Sequence, residues 1–162
     1  MKQHSNWQKW IAVISIFLLG MLCISAVSGE SMVGINETNF PNGYFREYVR
    51  QFDTDNDGIL NEDEIAGVVS IDISWQYFDD VRGIGFFTAL EELDCSYSDL
   101  TSLDVSKNTE LKYLTCDENE DLARLDVSGC GKLRELVCWN CNLEQLDVSN
   151  CKELTADRKS VV

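Results

Sequence analysis

The chain has 162 residues, 28 acidic against 13 basic side chains, a formal net charge of −15 and a single histidine, His4. The length suits one compact domain, and the acidic balance opposes nucleic acid and anionic membrane lipid, which excludes both as partners. With its only imidazole four residues from the start, the remaining chain has no Ser-His-Asp or Cys-His chemistry and no His-bearing zinc site.

Residues 1–28 have the layout of a secretory signal peptide. Lys2 and Lys9 precede an apolar run from Trp10 to Val27, and Ala26-Val27-Ser28 sets small residues at −3 and −1 for cleavage before Gly29. The run is also long enough for an uncleaved anchor. Met21-Leu22 before Cys23 is too bulky for a lipidation site. The expected location is therefore secreted or extracellular, with membrane anchoring as the alternative. Residues 29–162 hold 11 of the basic and all 28 acidic residues, a net −17. Residues 29–38 read as a linker.

Residues 39–67 read as a metal-binding cap. Pro41 stands where a helix can begin, and Phe45, Val49 and Phe52 recur at helical spacing. Asp53-Thr54-Asp55-Asn56-Asp57-Gly58-Ile59-Leu60-Asn61-Glu62-Asp63-Glu64 then carries every feature of an EF-hand calcium loop. Calcium needs six to eight oxygens, and these offsets converge them. Asp53, Asp55 and Asp57 supply carboxylates, Ile59 its carbonyl, Asn61 an oxygen directly or through water, and Glu64 both carboxylate oxygens. Gly58 permits the turn. A solvated acidic turn would need neither that Gly nor the terminal Glu. Glu62 to Ala66 forms a short exit helix ended by Gly67. The expected cofactor is Ca2+.

Residues 68–154 repeat every twenty-one to twenty-two positions. Leu90, Leu93, Cys95, Ser98, Leu100, Leu103 and Asp104-Val105-Ser106 make one unit; Leu111, Leu114, Cys116, Asn119, Leu122, Leu125 and Asp126-Val127-Ser128 the next. Leu133, Leu136, Cys138, Cys141, Leu143, Leu146 and Asp147-Val148-Ser149 make a third. Val68, Ile71, Ile73, Phe78, Val81, Ile84 and Phe87 form a degenerate first unit. This period and pattern are the leucine-rich-repeat signature. Each unit is one short strand and a return segment, and stacking buries the apolar face each would expose alone. The fold class is an α/β repeat, a short solenoid with a parallel sheet on its concave face and an EF-hand-like helical cap at its front.

Cys95, Cys116 and Cys138 take the same core position in successive strands. Neighbouring strands lie ~4.8 Å apart, beyond the disulfide Cβ separation of about 3.8 Å. Cys138-x-x-Cys141 matches a redox spacing, but the repeat explains both positions. Cys130 and Cys151 are equivalent loop positions and the best-placed pair if any bond forms.

Strand residues between the core positions face the concave side. They include Glu92, Asp94, Tyr113, Asp117, Glu135 and Trp139, with Trp75 and Tyr97 just past the strand ends. Acidic groups mixed with Trp and Tyr suit a protein or glycan partner, since aromatics dominate hot spots; a merely solvated sheet face is the alternative. The run Asp117 to Asp121 lacks the Gly and terminal Glu of a second calcium loop.

The pattern Leu-x-x-Leu-x-Cys-x-x-Asn-x-Leu-x-x-Leu-Asp-Val-Ser resembles the cysteine-bearing, internalin-like repeats of secreted and surface proteins from Gram-positive bacteria. Asn39-Phe40-Pro41, Phe45-Arg46-Glu47-Tyr48-Val49, the calcium loop and Gly83-Ile84-Gly85-Phe86-Phe87-Thr88-Ala89-Leu90 are similar to the lead-in of such proteins and occur in its order. The resemblance, over residues 39 to 154, implies an EF-hand-like cap on the first repeat and a role in binding another macromolecule outside the cell.

The expected function is a secreted or surface calcium-binding repeat protein that mediates protein or glycan binding or adhesion, without catalysis. A carboxylate-dependent glycosidase is one rival, but the calcium loop, the Asp-Val-Ser repeats and solvent-facing positions absorb nearly all the carboxylates. A truncated repeat fragment is the other. Asp157, Arg158 and Lys159 stand where the next unit should be apolar, so 155–162 read as a tail. That leaves the edge of the last strand open, to be covered by the tail folding over it, paired with a second molecule in self-association, or explained by a longer ancestor cut short.

Overall fold

The computed structural model describes residues 32–158; the signal-peptide and anchor readings of 1–28 lie outside them. Among the described residues no helix is long and apolar enough to cross a membrane.

Two short helices flank the acidic loop. Helix α1 (Gly43–Val49) starts after Asn42, not at Pro41, because the Asn42 side chain accepts from Phe45 N at 2.8 Å. A 3-10 turn (Arg50–Phe52) leads into the acidic loop. Strand β2 (Ile59–Leu60) and helix α2 (Glu62–Gly67) follow. The supposed linker is partly cap: β1 (Val33–Gly34) pairs antiparallel with β2, and Val33 and Ile35 are buried. Two apolar residues in a polar stretch suffice to anchor it.

An aromatic cluster joins cap to coil. Phe40 meets Phe86 at 5.6 Å, Phe45 meets Phe78 at 5.9 Å, and Phe52 meets Phe87 at 5.4 Å, all edge-on. Gly83 makes the fit. Its φ is +106°, and a Cβ there would lie 2.5 Å from Asn39 O and press on the Phe40 ring.

The repeat period becomes a parallel five-stranded sheet in the order β3 (Ser70–Asp72), β4 (Glu92–Asp94), β6 (Tyr113–Thr115), β8 (Glu135–Val137) and β9 (Ala156–Arg158). Register holds throughout: Ile71, Leu93, Leu114 and Leu136 are successive partners and all buried. This is a leucine-rich-repeat solenoid. Two features extend the sequence reading. The return segments carry strands too, β5 (Ser102–Asp104) pairing in parallel with β7 (Arg124–Asp126), and Gln145 bridging to Arg124. Of the outcomes left open for the edge of β8, the tail covers it, and it does so as a further parallel strand, residues 156–158. Asp157 misled because backbone pairing does not require an apolar side chain.

The Asp-x-Ser triplets are turn devices. Asp104, Asp126 and Asp147 each accept from the backbone N–H of the Ser two residues on, at 2.9 Å. Inside the coil, Asn119 Nδ2 donates to Cys95 O (3.0 Å) and Cys116 O (2.9 Å), and its Oδ1 accepts from Leu100 N (3.0 Å). Asn108 Nδ2 donates to Ile84 O and Phe87 O. Where later units replace Asn by Cys, the thiol takes over: Cys141 Sγ donates to Cys116 O at 3.2 Å, and Cys130 Sγ to Val105 O at 3.3 Å.

Cys130 and Cys151 are not joined to each other. Cys130 Sγ is directed to Val105 O and Cys151 Sγ to Val127 O (3.7 Å), each one unit back. Burial pushes the Cys130 thiol up to about 12 and raises Cys95 further, so both are inert thiols at neutral pH. Cys141 is the exception, held below its ordinary value by the adjoining Cys116 side chain.

Candidate functional site

Two regions carry the residues singled out by sequence. The first is the cap loop, whose backbone is wound by its own carboxylates. Asp53 accepts from Asp57 N (3.1 Å) and Gly58 N (2.9 Å), Asp55 from Asp57 N (3.2 Å), and Asp57 from Ile59 N (2.7 Å). Asn56 (φ 60°) and Gly58 (φ 82°) take the left-handed turns this winding needs. Carboxylate oxygens of Asp53, Asp55 and Asp57 lie within 4.8 Å of one another.

The remaining expected ligands serve the protein as well. Asn61 and Glu64 form a capping box on α2: Asn61 Oδ1 accepts from Glu64 N at 3.1 Å, and Glu64 Oε2 accepts from Asn61 N at 3.0 Å. Glu64 Oε1 accepts from Thr54 N (2.6 Å) and Thr54 Oγ1 (2.7 Å). These donors, Asn61 N first, hold its carboxyl below the usual range. Asp55 moves the other way. The Asp57 N–H pulls it down, but desolvation and the charges of Asp57 and Glu64 outweigh that bond.

The donor set fits calcium. Oxygens within 4.8 Å of one another can share one ion at 2.3–2.6 Å. All are hard, and the charges of Asp57 and Glu64, after desolvation, help raise the Asp55 carboxyl, a repulsion that a cation would relieve. Each Glu64 oxygen keeps lone-pair capacity beside its N–H bonds.

The second region is the solvent side of the five-stranded sheet. Register sets Glu92, Tyr113 and Glu135 side by side, and Asp94 beside Thr115 and Val137. Tyr113 and Trp139 are each 42% exposed. Asp94 is less available than expected, since its Oδ1 accepts from Ser96 N (3.0 Å) and Ser96 Oγ (2.6 Å).

Asp117 leaves the set. It is only 6% exposed. It occupies the position that Ser96, also buried, holds one unit earlier, where the chain turns into a left-handed residue. Burial, then the charges of Asp94 and Glu118, raise its carboxyl despite a backbone N–H bond. Trp75 and Tyr97 come together instead, their rings stacked at 3.6 Å and 9°. Sequence reasoning missed Tyr77, an exposed aromatic outside the repeat pattern.

No protein-family model and no curated protein matches this chain. Among solved structures it is similar to an internalin, inlF, from Listeria monocytogenes, with 18% identity and a TM-score of 0.52 over 80% of this chain and 46% of that one. It is also similar to the functional domain of InlJ from Listeria monocytogenes, which includes a cysteine ladder, with 23% identity and a TM-score of 0.38 over 84% of this chain and 40% of that one. The chain thus spans less than half of either, and the likeness to the first is one of fold.

Proposed function

We propose that this is a secreted, calcium-stabilised leucine-rich-repeat module that binds a protein or glycan outside the cell through the solvent side of its sheet. The observation that carries the reading is the in-register row of Glu92, Tyr113 and Glu135, with Trp139 exposed beyond it. Rigid strands present these groups at fixed spacing, and exposed aromatics among carboxylates are the composition of interface anchors. The internalin likeness supports the reading through shared fold. Asp53, Asp55 and Asp57 would hold calcium with Glu64, Asn61 and the Ile59 carbonyl. The ion would neutralise the loop and fasten the cap. At about twenty times Kd it would add roughly 2 kcal/mol. Extracellular modules bind at ~0.1–1 mM, which suits constant occupancy.

The test immobilises the chain and captures ligands from cell-surface extract and a glycan panel, with and without chelator. Tyr113→Ala and Trp139→Ala should each lower capture at least tenfold while leaving the melt unchanged. Capture that survives both substitutions would place binding elsewhere.

A further inference from the structure

At the exits of the sheet strands, four residues in equivalent positions of successive units share one backbone state. Trp75, Tyr97, Glu118 and Asn140 have φ of 60°, 52°, 55° and 53°. Left-handed backbone is strained for most L-residues, and Asn tolerates it best. The column nevertheless uses Asn once and large aromatics twice. A third aromatic, Tyr77, is also left-handed, at 53°. Strain of this kind, at a position Asn could fill, points to a use beyond the turn.

Trp75, Tyr77, Tyr97 and Glu118 of these line a cleft of about 290 Å³. Trp75, Tyr77 and Tyr97 supply its rings, and Trp75 and Tyr77 are 58% and 66% exposed. Asp99, Glu118, Glu120 and Asp121 supply four carboxylates. Elsewhere the coil answers acids with cations from the adjoining unit, as in Glu91–Lys112, Glu110–Lys132 and Glu153–Arg134. Among the described residues no Lys or Arg pairs with these four. One neutral amide, Asn140 Nδ2, donates to Glu118 Oε2 at 2.6 Å and reaches Glu120 Oε1 at 3.5 Å. Ser98 also lines the cleft. It is 5% exposed, and its Oγ has no hydrogen-bond partner. It stands in the ladder position of Asn119 and Cys141, which both reach carbonyls.

We infer that this cleft binds a guanidinium group, presented by an arginine side chain of the partner. The inference rests on the sheet side being a binding surface and names the chemistry at its edge. A planar cation stacks on aromatic faces, pairs with carboxylates through a fork of N–H groups, and has a donor to spare for a buried hydroxyl. A neutral sugar would bring no cation to the four carboxylates. A quaternary ammonium would bring no N–H to Ser98 or the acids.

Calorimetry on the full chain tests this with tetra-arginine amide, free L-arginine, tetramethylammonium and a neutral cello-oligosaccharide. Tetra-arginine amide should bind, and tetramethylammonium should bind about tenfold more weakly or not at all. Binding of either arginine form supports the site, and the tighter one identifies whether the source is a peptide or a small molecule. Trp75→Asn should weaken tetra-arginine about tenfold while leaving Tm unchanged or higher, because Asn suits the backbone. If that variant misfolds, Tyr77→Asn carries the same test. Glu118→Gln should weaken binding, and Glu144→Gln, an equal charge change outside the cleft, should not. Equal losses in both, or preference for the oligosaccharide, would overturn the proposal. If the cleft variants change nothing while Tyr113→Ala still abolishes capture, this proposal fails alone. If neither changes anything, the binding face fails with it.

Discussion

Asn119→Ala is the sharpest probe of how the coil is held together. The side chain is fully buried, and its loss strands Leu100 N–H and Cys95 C=O among buried neighbours. Cys116 O keeps one partner, the thiol of Cys141. Two unsatisfied buried groups at about 1–3 kcal/mol each give about 2–6 kcal/mol, a large part of a domain's typical stability. Asn119→Cys should cost about half as much, because a thiol can restore the bond to the carbonyl one unit back, as Cys141 does, but cannot accept from Leu100 N as the amide oxygen does. Urea titration followed by circular dichroism measures both, with the slope showing whether the native state stays compact. An alanine cost below about 1 kcal/mol, or equal costs for Ala and Cys, would refute the ladder as a stabilising element.

Removing calcium with a chelator should lower Tm by about 5–10 °C, and Asp53→Asn should abolish that difference; superimposable melts would remove calcium from the cap. Gly83→Ala should destabilise by about 2–5 kcal/mol in thermal or urea melts, since it combines positive-φ strain with a clash at Phe40. Gly58→Ala, also at positive φ but with open space around it, should cost less. Asp117→Asn should stabilise at pH 7. Burial raises the folded carboxyl, so ionisation costs stability as pH rises through the folded value, and the benefit of Asn should fade below the unfolded value of about 3.9. A pH-independent difference in urea midpoints would contradict that sign.

What could be read in the sequence was whatever a period or a fixed spacing encodes. Leu93, Leu114 and Leu136 fall on one register because the repeat length leaves no other alignment, and the acidic loop offsets bring Asp53, Asp55 and Asp57 together. What was hidden depends on backbone partners or on single residues outside the period. The Leu-Asp-Val-Ser segments read as part of each return, yet the backbones around Leu103 and Leu125 pair as β5 and β7. Asp117 read as a strand face residue, but the left-handed Glu118 after it marks the strand's exit, where Ser96 is buried too. Val33 and Ile35 lack any repeat to announce them, although Ile35 N donates to Gly58 O at 2.9 Å and holds the loop's turn from outside.

The cap and the coil are therefore one energetic unit. The loop's two ends continue into α1 and α2, and α1 carries Phe45 and Tyr48 into the cluster with Phe78. Tyr48 also donates to Asp72 O at 3.2 Å, at the end of the first sheet strand. A stacked coil gains its stability between neighbours, so an unsealed first unit lacks half of its interface. Ordering the acidic loop fixes α1, α1 fixes the rings, and the rings complete the first unit. A metal's contribution to that loop would thus be felt by the strand that begins the sheet, without any contact between the ion and the residues proposed to bind a partner.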